Sequence, residues 1–180
     1  MKISQDKVLL SRINEHMKMR QSAREELPGT IKVKLEHLEH LHFRGTASEG
    51  KGLSLDIDES PERGGQGNGI TPLETFLMGA GACSLTQWAA LIISEGLKVD
   101  TLNATVTGQI DRRIDGLFKS LTFDIMLTGS ENAERIKGAS NDAEGLCRSA
   151  EGLCYVHNTL RRAVPIHTNI HLNGNIIYSD

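Results

Sequence analysis

The chain has 180 residues, a formal charge of -3 at neutral pH and an aromatic content of 4%. That length fits one domain with a real core, and the charge balance and scarce aromatics offer neither a basic footprint nor stacking platforms for nucleic acid. No uninterrupted apolar run reaches the roughly 18 residues of a spanning helix, and the start Met1-Lys2-Ile3-Ser4-Gln5-Asp6 lacks the apolar stretch of a secretory signal, so the expectation is a cytoplasmic protein with no membrane partner.

Residues 4–26 place Val8, Leu9, Ile13 and Met17 at helical spacing before Pro28-Gly29, which predicts an amphipathic helix. Residues 1–28 then form an N-terminal helical extension to a domain at 29–180, packing on that domain or on a partner subunit. From Thr30 to Arg44 the period changes to two, with Ile31, Val33 and Leu35 alternating with Lys32, Lys34 and Glu36. Gly45 to Gly52 supplies turn residues, and Leu53, Leu55 and Ile57 alternate with Ser54, Asp56 and Asp58, so a hairpin is expected. His37, His40 and His42 invite a metal reading. On one strand, however, His40 and His42 share a face and His37 takes the other, which favours an exposed polar edge.

Pro61 to Gly69 holds four glycines in nine residues; such a loop is expected to be mobile or to wrap around something. The Gly-Lys-Ser/Thr ending of a phosphate loop is missing. Thr71-Pro72-Leu73-Glu74 then combines an N-cap, a first-turn proline and a capping-box glutamate. The helix it opens runs to Glu95, is stopped by Gly96, and is apolar nearly all round, which predicts a buried central helix. Strands are expected over 102–114 and 117–128, joined by the hairpin signal Asp115-Gly116. A polar-faced helix over 132–151, a short helix over 155–161 and a last strand over 164–177, with Asn173-Gly174 near its end, complete the chain. Antiparallel hairpins with a few helices make an α+β domain.

Two cysteines sit in unusual settings. Cys83 lies in Gly79-Ala80-Gly81-Ala82-Cys83-Ser84, where two helical glycines cost about 1 kcal/mol each relative to Ala, so something is expected to approach that backbone. Cys154 lies in Gly152-Leu153-Cys154-Tyr155-Val156-His157, where a helix breaks and restarts. Cys147 would stand about 10.5 Å along a continuous helix from Cys154, beyond the roughly 7 Å limit for a disulfide, and reads as a small core residue. An odd cysteine count in a reducing compartment argues against a structural framework and for transient thiol chemistry. Cys83 is three turns into its helix, too far for the dipole to activate it; a cation from elsewhere would be needed. Alternatives remain open at this level: ordinary buried cysteines, a zinc site from Cys83, Cys154 and His157, a Cys154–His157 hydrolase, or a pocket around Gly79 to Leu85 for a small apolar ligand.

The segments Ser60-Pro61-Glu62-Arg63-Gly64-Gly65, Thr71-Pro72-Leu73-Glu74 through Cys83, and Cys154-Tyr155-Val156-His157-Asn158-Thr159-Leu160 resemble the OsmC/Ohr family, in order and spacing from Arg44 to Ile170. The resemblance implies an intertwined α+β homodimer with antiparallel sheets around a long helix and active sites at the interface. It implies a peroxidase acting on organic hydroperoxides, in which Cys83 is the attacking thiolate, Cys154 resolves its sulfenic acid as a disulfide, and a dithiol reductant closes the cycle. Arg44 matches the family's activating arginine. The chain departs from the pattern at Leu73, which stands where the family glutamate falls, and at Tyr155, which replaces a proline. No cofactor or metal is implied, because sulfur carries the redox work.

Overall fold

The computed structural model describes residues 7–22, 29–47, 52–111, 117–131, 152–162, 165–173 and 175–179. In chain order they form α1 (Lys7–Ser22), β1 (Val33–Glu39), β2 (His42–Ala47), β3 (Ser54–Ile57), α2 (Pro72–Ser94), β4 (Val99–Asp111), β5 (Leu117–Gly129), α3 (Tyr155–Leu160), β6 (Asn169–Leu172) and β7 (Asn175–Ser179). The strands pair antiparallel as β1-β2-β3, β4-β5 and β6-β7, which with the helices gives the expected α+β class. The helix expected over 132–151, the Asp115-Gly116 turn and Cys147 lie outside the described residues.

The local signals fix α2. Thr71 is extended, its hydroxyl accepts from the Glu74 N–H, and the Glu74 carboxylate accepts from the Thr71 N–H at 3.1 Å, so the capping box is formed as the sequence indicates. Gly96, at φ +61, takes the left-handed conformation that ends the helix cheaply. One side of α2 packs on β4 and β5. Their registered pairs Leu102–Leu127, Ala104–Ile125 and Val106–Phe123 share a face, and Trp88, Leu91 and Ile92 meet Leu97 and Val99 in the core above it. Gly81 is needed here, since a Cβ would come within 2.9 Å of the Val106 Cγ2, so the close approach expected from the sequence is met there by Val106, whereas a Cβ at Gly79 would meet nothing within 4 Å.

By length and mean hydropathy (1.6 over 18 residues) α2 could also span a membrane, but it is built into this core. The expectation that α2 is buried all round is not met within one chain. Phe76 and Met78 remain 41% and 56% exposed, because the sheet covers a single stripe of the helix. Ile92 is 1% exposed, and Ile92→Ala is expected to cost about 2–5 kcal/mol, read as a lowered urea midpoint at unchanged slope.

The strand expected over 30–44 is instead a hairpin, β1 and β2. His40 sits at φ +48, a left-handed turn that non-glycine residues adopt at some cost, and its carbonyl is within 3.0 Å of the His37 ring Nε2. Strand β2 continues through Gly45 to pair with β3, so the sheet has three strands rather than two. The last strand is likewise split into β6 and β7 by a turn at Asn173, φ +50, a residue type that tolerates this conformation.

The glycine-rich segment is not a free loop: it wraps around Asp58. This residue leaves β3 and turns inward, with 0% exposure, and its Oδ2 accepts from the backbone N–H groups of Gln66 and Asn68, both at 3.0 Å. Asp58 N–H donates to the Ile70 carbonyl and Ile70 N–H to the Asp56 carbonyl, tying the end of the loop to β3 just before the α2 cap. At Gly65 a Cβ would run into the Glu59 carbonyl, and at Gly69 into that of Asp56. The glycines are there because backbone closes on backbone around a carboxylate.

Candidate functional site

The two cysteines singled out in the sequence meet. Cys83, in the middle of α2, and Cys154, immediately before α3, are both free thiols with sulfurs 3.4 Å apart. A disulfide needs about 2.0 Å, so a small side-chain adjustment separates the pair from a bond. They differ in environment. Cys154 is 0% exposed, whereas Cys83 is partly exposed. Burial pushes the Cys154 thiol above its ordinary range; the N–H groups of His157 and Val156 oppose this, and the hydrogen bond with Cys83 adds to it. Cys154 therefore holds its proton at neutral pH and donates it toward Cys83 Sγ.

A cleft of about 550 Å³ is lined by Phe76, Phe118, Leu121, Phe123, His157 and Arg161 among others, and neither thiol lines it. Phe76 is seven residues before Cys83, so both project from one face of α2. His157 lies one turn after Cys154. Phe76 stacks on Phe118 with centroids 5.7 Å apart, and Phe123 meets the His157 ring edge-on at 4.4 Å. The contact from His157 to Cys154 is made by its backbone N–H while its ring packs on Phe123, which does not build the Cys-His hydrolase pair. Among the described residues no group of three His, Cys, Asp or Glu side chains is placed to hold a metal ion. The sequence offered no signal for this cleft beyond scattered aromatics; cross-strand pairing of Val106 with Phe123 and the close packing of Phe118 over Gly108 create it.

A second cleft of about 720 Å³ lies on another side of α2, between Leu77, Met78, Gly81, Leu85, Ala104 and Val106. Glu74 stands at its edge, carboxylate turned to Thr71.

Arg44 is not brought to the thiols within one chain. It sits inside β2, registered opposite Glu36 on β1 and Asp56 on β3. Its Nε and Nη2 donate to the two Asp56 carboxylate oxygens at 2.7 and 3.0 Å. The bidentate bond holds the Asp56 carboxyl below the usual range and strengthens the guanidinium's hold on its charge. Asp56 is thus the residue that orients Arg44, and alternation alone did not reveal it.

Three solved structures locate the fold. An OsmC-like protein from Mycoplasma pneumoniae is similar at 16% identity and TM-score 0.60, over 76% of this chain and 91% of its own. An organic hydroperoxide resistance protein OsmC from Legionella pneumophila gives 22%, 0.54, 76% and 92% in the same order. An organic hydroperoxide resistance protein from Elizabethkingia anophelis gives 19%, 0.55, 77% and 93%. At these identities the likeness speaks for the fold alone. No protein of curated function matches the sequence. The family model described as OsmC-like protein matches residues 65–169, more than half of the chain and a span containing the Cys83–Cys154 pair, and the chain belongs to the OsmC-like family.

Proposed function

We propose that this protein is a thiol peroxidase that reduces organic hydroperoxides in defence against oxidative stress, with Cys83 as nucleophile and Cys154 as resolving thiol. The observation that carries the reading is two free thiols at 3.4 Å with unequal burial. The Cys83 thiolate attacks the outer peroxide oxygen, the O–O bond breaks, and the departing alkoxide takes a proton to leave as an alcohol. Cys83 is then a sulfenic acid. The Cys154 sulfur attacks the Cys83 sulfur, expels water and forms the disulfide, which a dithiol reduces back to two thiols. The buried, protonated Cys154 is suited to waiting and resolving; the partly exposed Cys83 is suited to attack. The aromatic cleft at Phe76, Phe118 and Phe123 would take the apolar group of the hydroperoxide.

The active form is a homodimer in this reading. Val33, Leu35 and Leu55 lie on one face of the three-stranded sheet and stay 65%, 63% and 40% exposed, next to polar Lys34, Glu36 and Arg44 on the other. An alternating sheet with an uncovered apolar face calls for a second layer, and Phe76 and Met78 on α2 call for the same. A second copy would supply both, and Arg44, preset by Asp56 on the opposite face of the sheet, is proposed by the family resemblance alone as the activating cation. The location proposed with this chemistry is the cytoplasm, where disulfides are usually transient and catalytic.

The test is a count of free thiols before and after a slight excess of cumene hydroperoxide, with mass spectrometry of the peptides. Loss of two thiols, bridged between Cys83 and Cys154, is expected. Three thiols retained after denaturation would sink the peroxidase. The second reading is a non-enzymatic binder of a small apolar molecule, favoured by the 720 Å³ apolar cleft on the other side of α2; it would then lead.

A further inference from the structure

Returning the disulfide to two thiols requires a third sulfur to reach one member of the pair, and the members are not equally reachable. Cys154 has 0% exposure, at the junction of α2 and the start of α3, while Cys83 keeps part of its surface open. Resting on the peroxidase reading above, we propose that the reducing dithiol enters at Cys83 only, and that Cys154 is always the sulfur displaced.

In this step a thiolate of the reductant attacks Cys83 Sγ, a new S–S bond forms there, and the Cys83–Cys154 bond breaks. Its electron pair leaves on Cys154, which then takes up a proton. The second thiol of the reductant attacks the reductant's own sulfur in the mixed disulfide, closes the reductant as a disulfide and releases Cys83 as thiolate. Two electrons pass from the dithiol to the protein.

Two effects compete over the regiochemistry. Thiols of low pKa leave faster, and burial makes Cys154 the poorer leaving group. Access works the other way and dominates, because attack on a fully buried sulfur first requires local opening, and every 1.4 kcal/mol of opening free energy costs about tenfold in rate. The N–H groups of Val156 and His157, which already bond the Cys154 sulfur, also soften the leaving-group penalty by meeting the charge as it appears. A consequence is that Cys83 handles both halves of the cycle, oxidant and reductant.

The experiment uses a monothiol, 2-mercaptoethanol, which has no second thiol to close on itself, so a brief exposure catches the mixed disulfide before a second molecule displaces it. The full-length protein is oxidised once with cumene hydroperoxide and once with diamide, exposed briefly to the monothiol, quenched in acid and mapped. Trypsin cleavage after Arg148 keeps the Cys147 peptide apart from that of Cys154. At least tenfold more adduct on Cys83 than on Cys154 is expected; equal or greater adduct on Cys154 overturns the proposal. If diamide bridges the pair and hydroperoxide does not, the peroxidase reading fails while the entry point is still read from the diamide sample. If neither bridges it, both fall. A second comparison avoids the disulfide altogether. Cys83 in Cys154→Ser should react with an aromatic disulfide reagent at least tenfold faster than Cys154 in Cys83→Ser, as peptide mapping resolves, and equal rates overturn the proposal too.

Discussion

Cys83→Ser is expected to reduce hydroperoxide turnover to the uncatalysed background, since a serine hydroxyl has no thiolate to offer and no sulfur to oxidise. Cys154→Ser should behave differently. It retains one oxidation event per chain, seen as a sulfenic acid trapped at Cys83, and then stalls without a resolving thiol. The two variants together separate the proposed nucleophile from the proposed resolver, roles that activity must demonstrate. Arg44→Met in the same series should slow the first oxidation about tenfold, the effect of about 1.4 kcal/mol of lost charge stabilisation. Arg44→Lys should fall between, because it keeps the charge and loses the two-pronged bond to Asp56. Multiple turnover in Cys83→Ser would end the scheme, and an unchanged rate in Arg44→Met would leave that residue as a cross-strand ion pair.

What could be read in advance followed from where the determining forces are local. The start of α2 was legible because Thr71, Pro72 and Glu74 act within one turn, and β4–β5 because strict alternation constrains neighbours. The thiol pair was suggested by the unusual settings of the two cysteines and given its roles by family resemblance: 71 positions separate Cys83 from Cys154, and no periodicity reports a contact of that span. The turn at His40 was missed because it contains no glycine, proline or asparagine, the residues that usually mark a left-handed backbone. Its stability comes from the pairing of β1 with β2 around it. The exposure of Phe76, Met78, Val33 and Leu35 has a different origin. Hydrophobicity signals that a residue seeks a partner, without saying whether that partner lies in the same chain. The placement of Arg44 beside Asp56 rather than beside a thiol belongs to the same class.

Asp58 is the residue whose importance the sequence concealed, since alternation with Ile57 put it on a solvent face. Its true signal was the run of glycines after it: a backbone that must fold tightly enough to aim successive N–H groups at one point needs an anion there. The expected result of Asp58→Asn is a lowered melting temperature at neutral pH together with reduced peroxidase activity, because the loop it holds leads straight into the Thr71 cap and so sets the position of α2. The pH dependence gives the decisive sign. Hydrogen bonds from the Asn68 N–H first, then those of Gln66 and Glu59, and the proximity of His42 hold the Asp58 carboxyl below the usual range against the opposing effect of burial. A carboxyl whose pKa is lowered by folding contributes stability that is fully present above its unfolded value of about 4 and is lost as pH falls through the folded one. The gap in melting temperature between the native protein and Asp58→Asn should therefore be constant near neutrality and narrow in acid, once the native carboxyl itself takes up a proton. A gap that stays the same from neutral pH down into the acid range would show that the loop is held by backbone packing alone, and that the carboxylate at its centre is incidental to how α2 is placed.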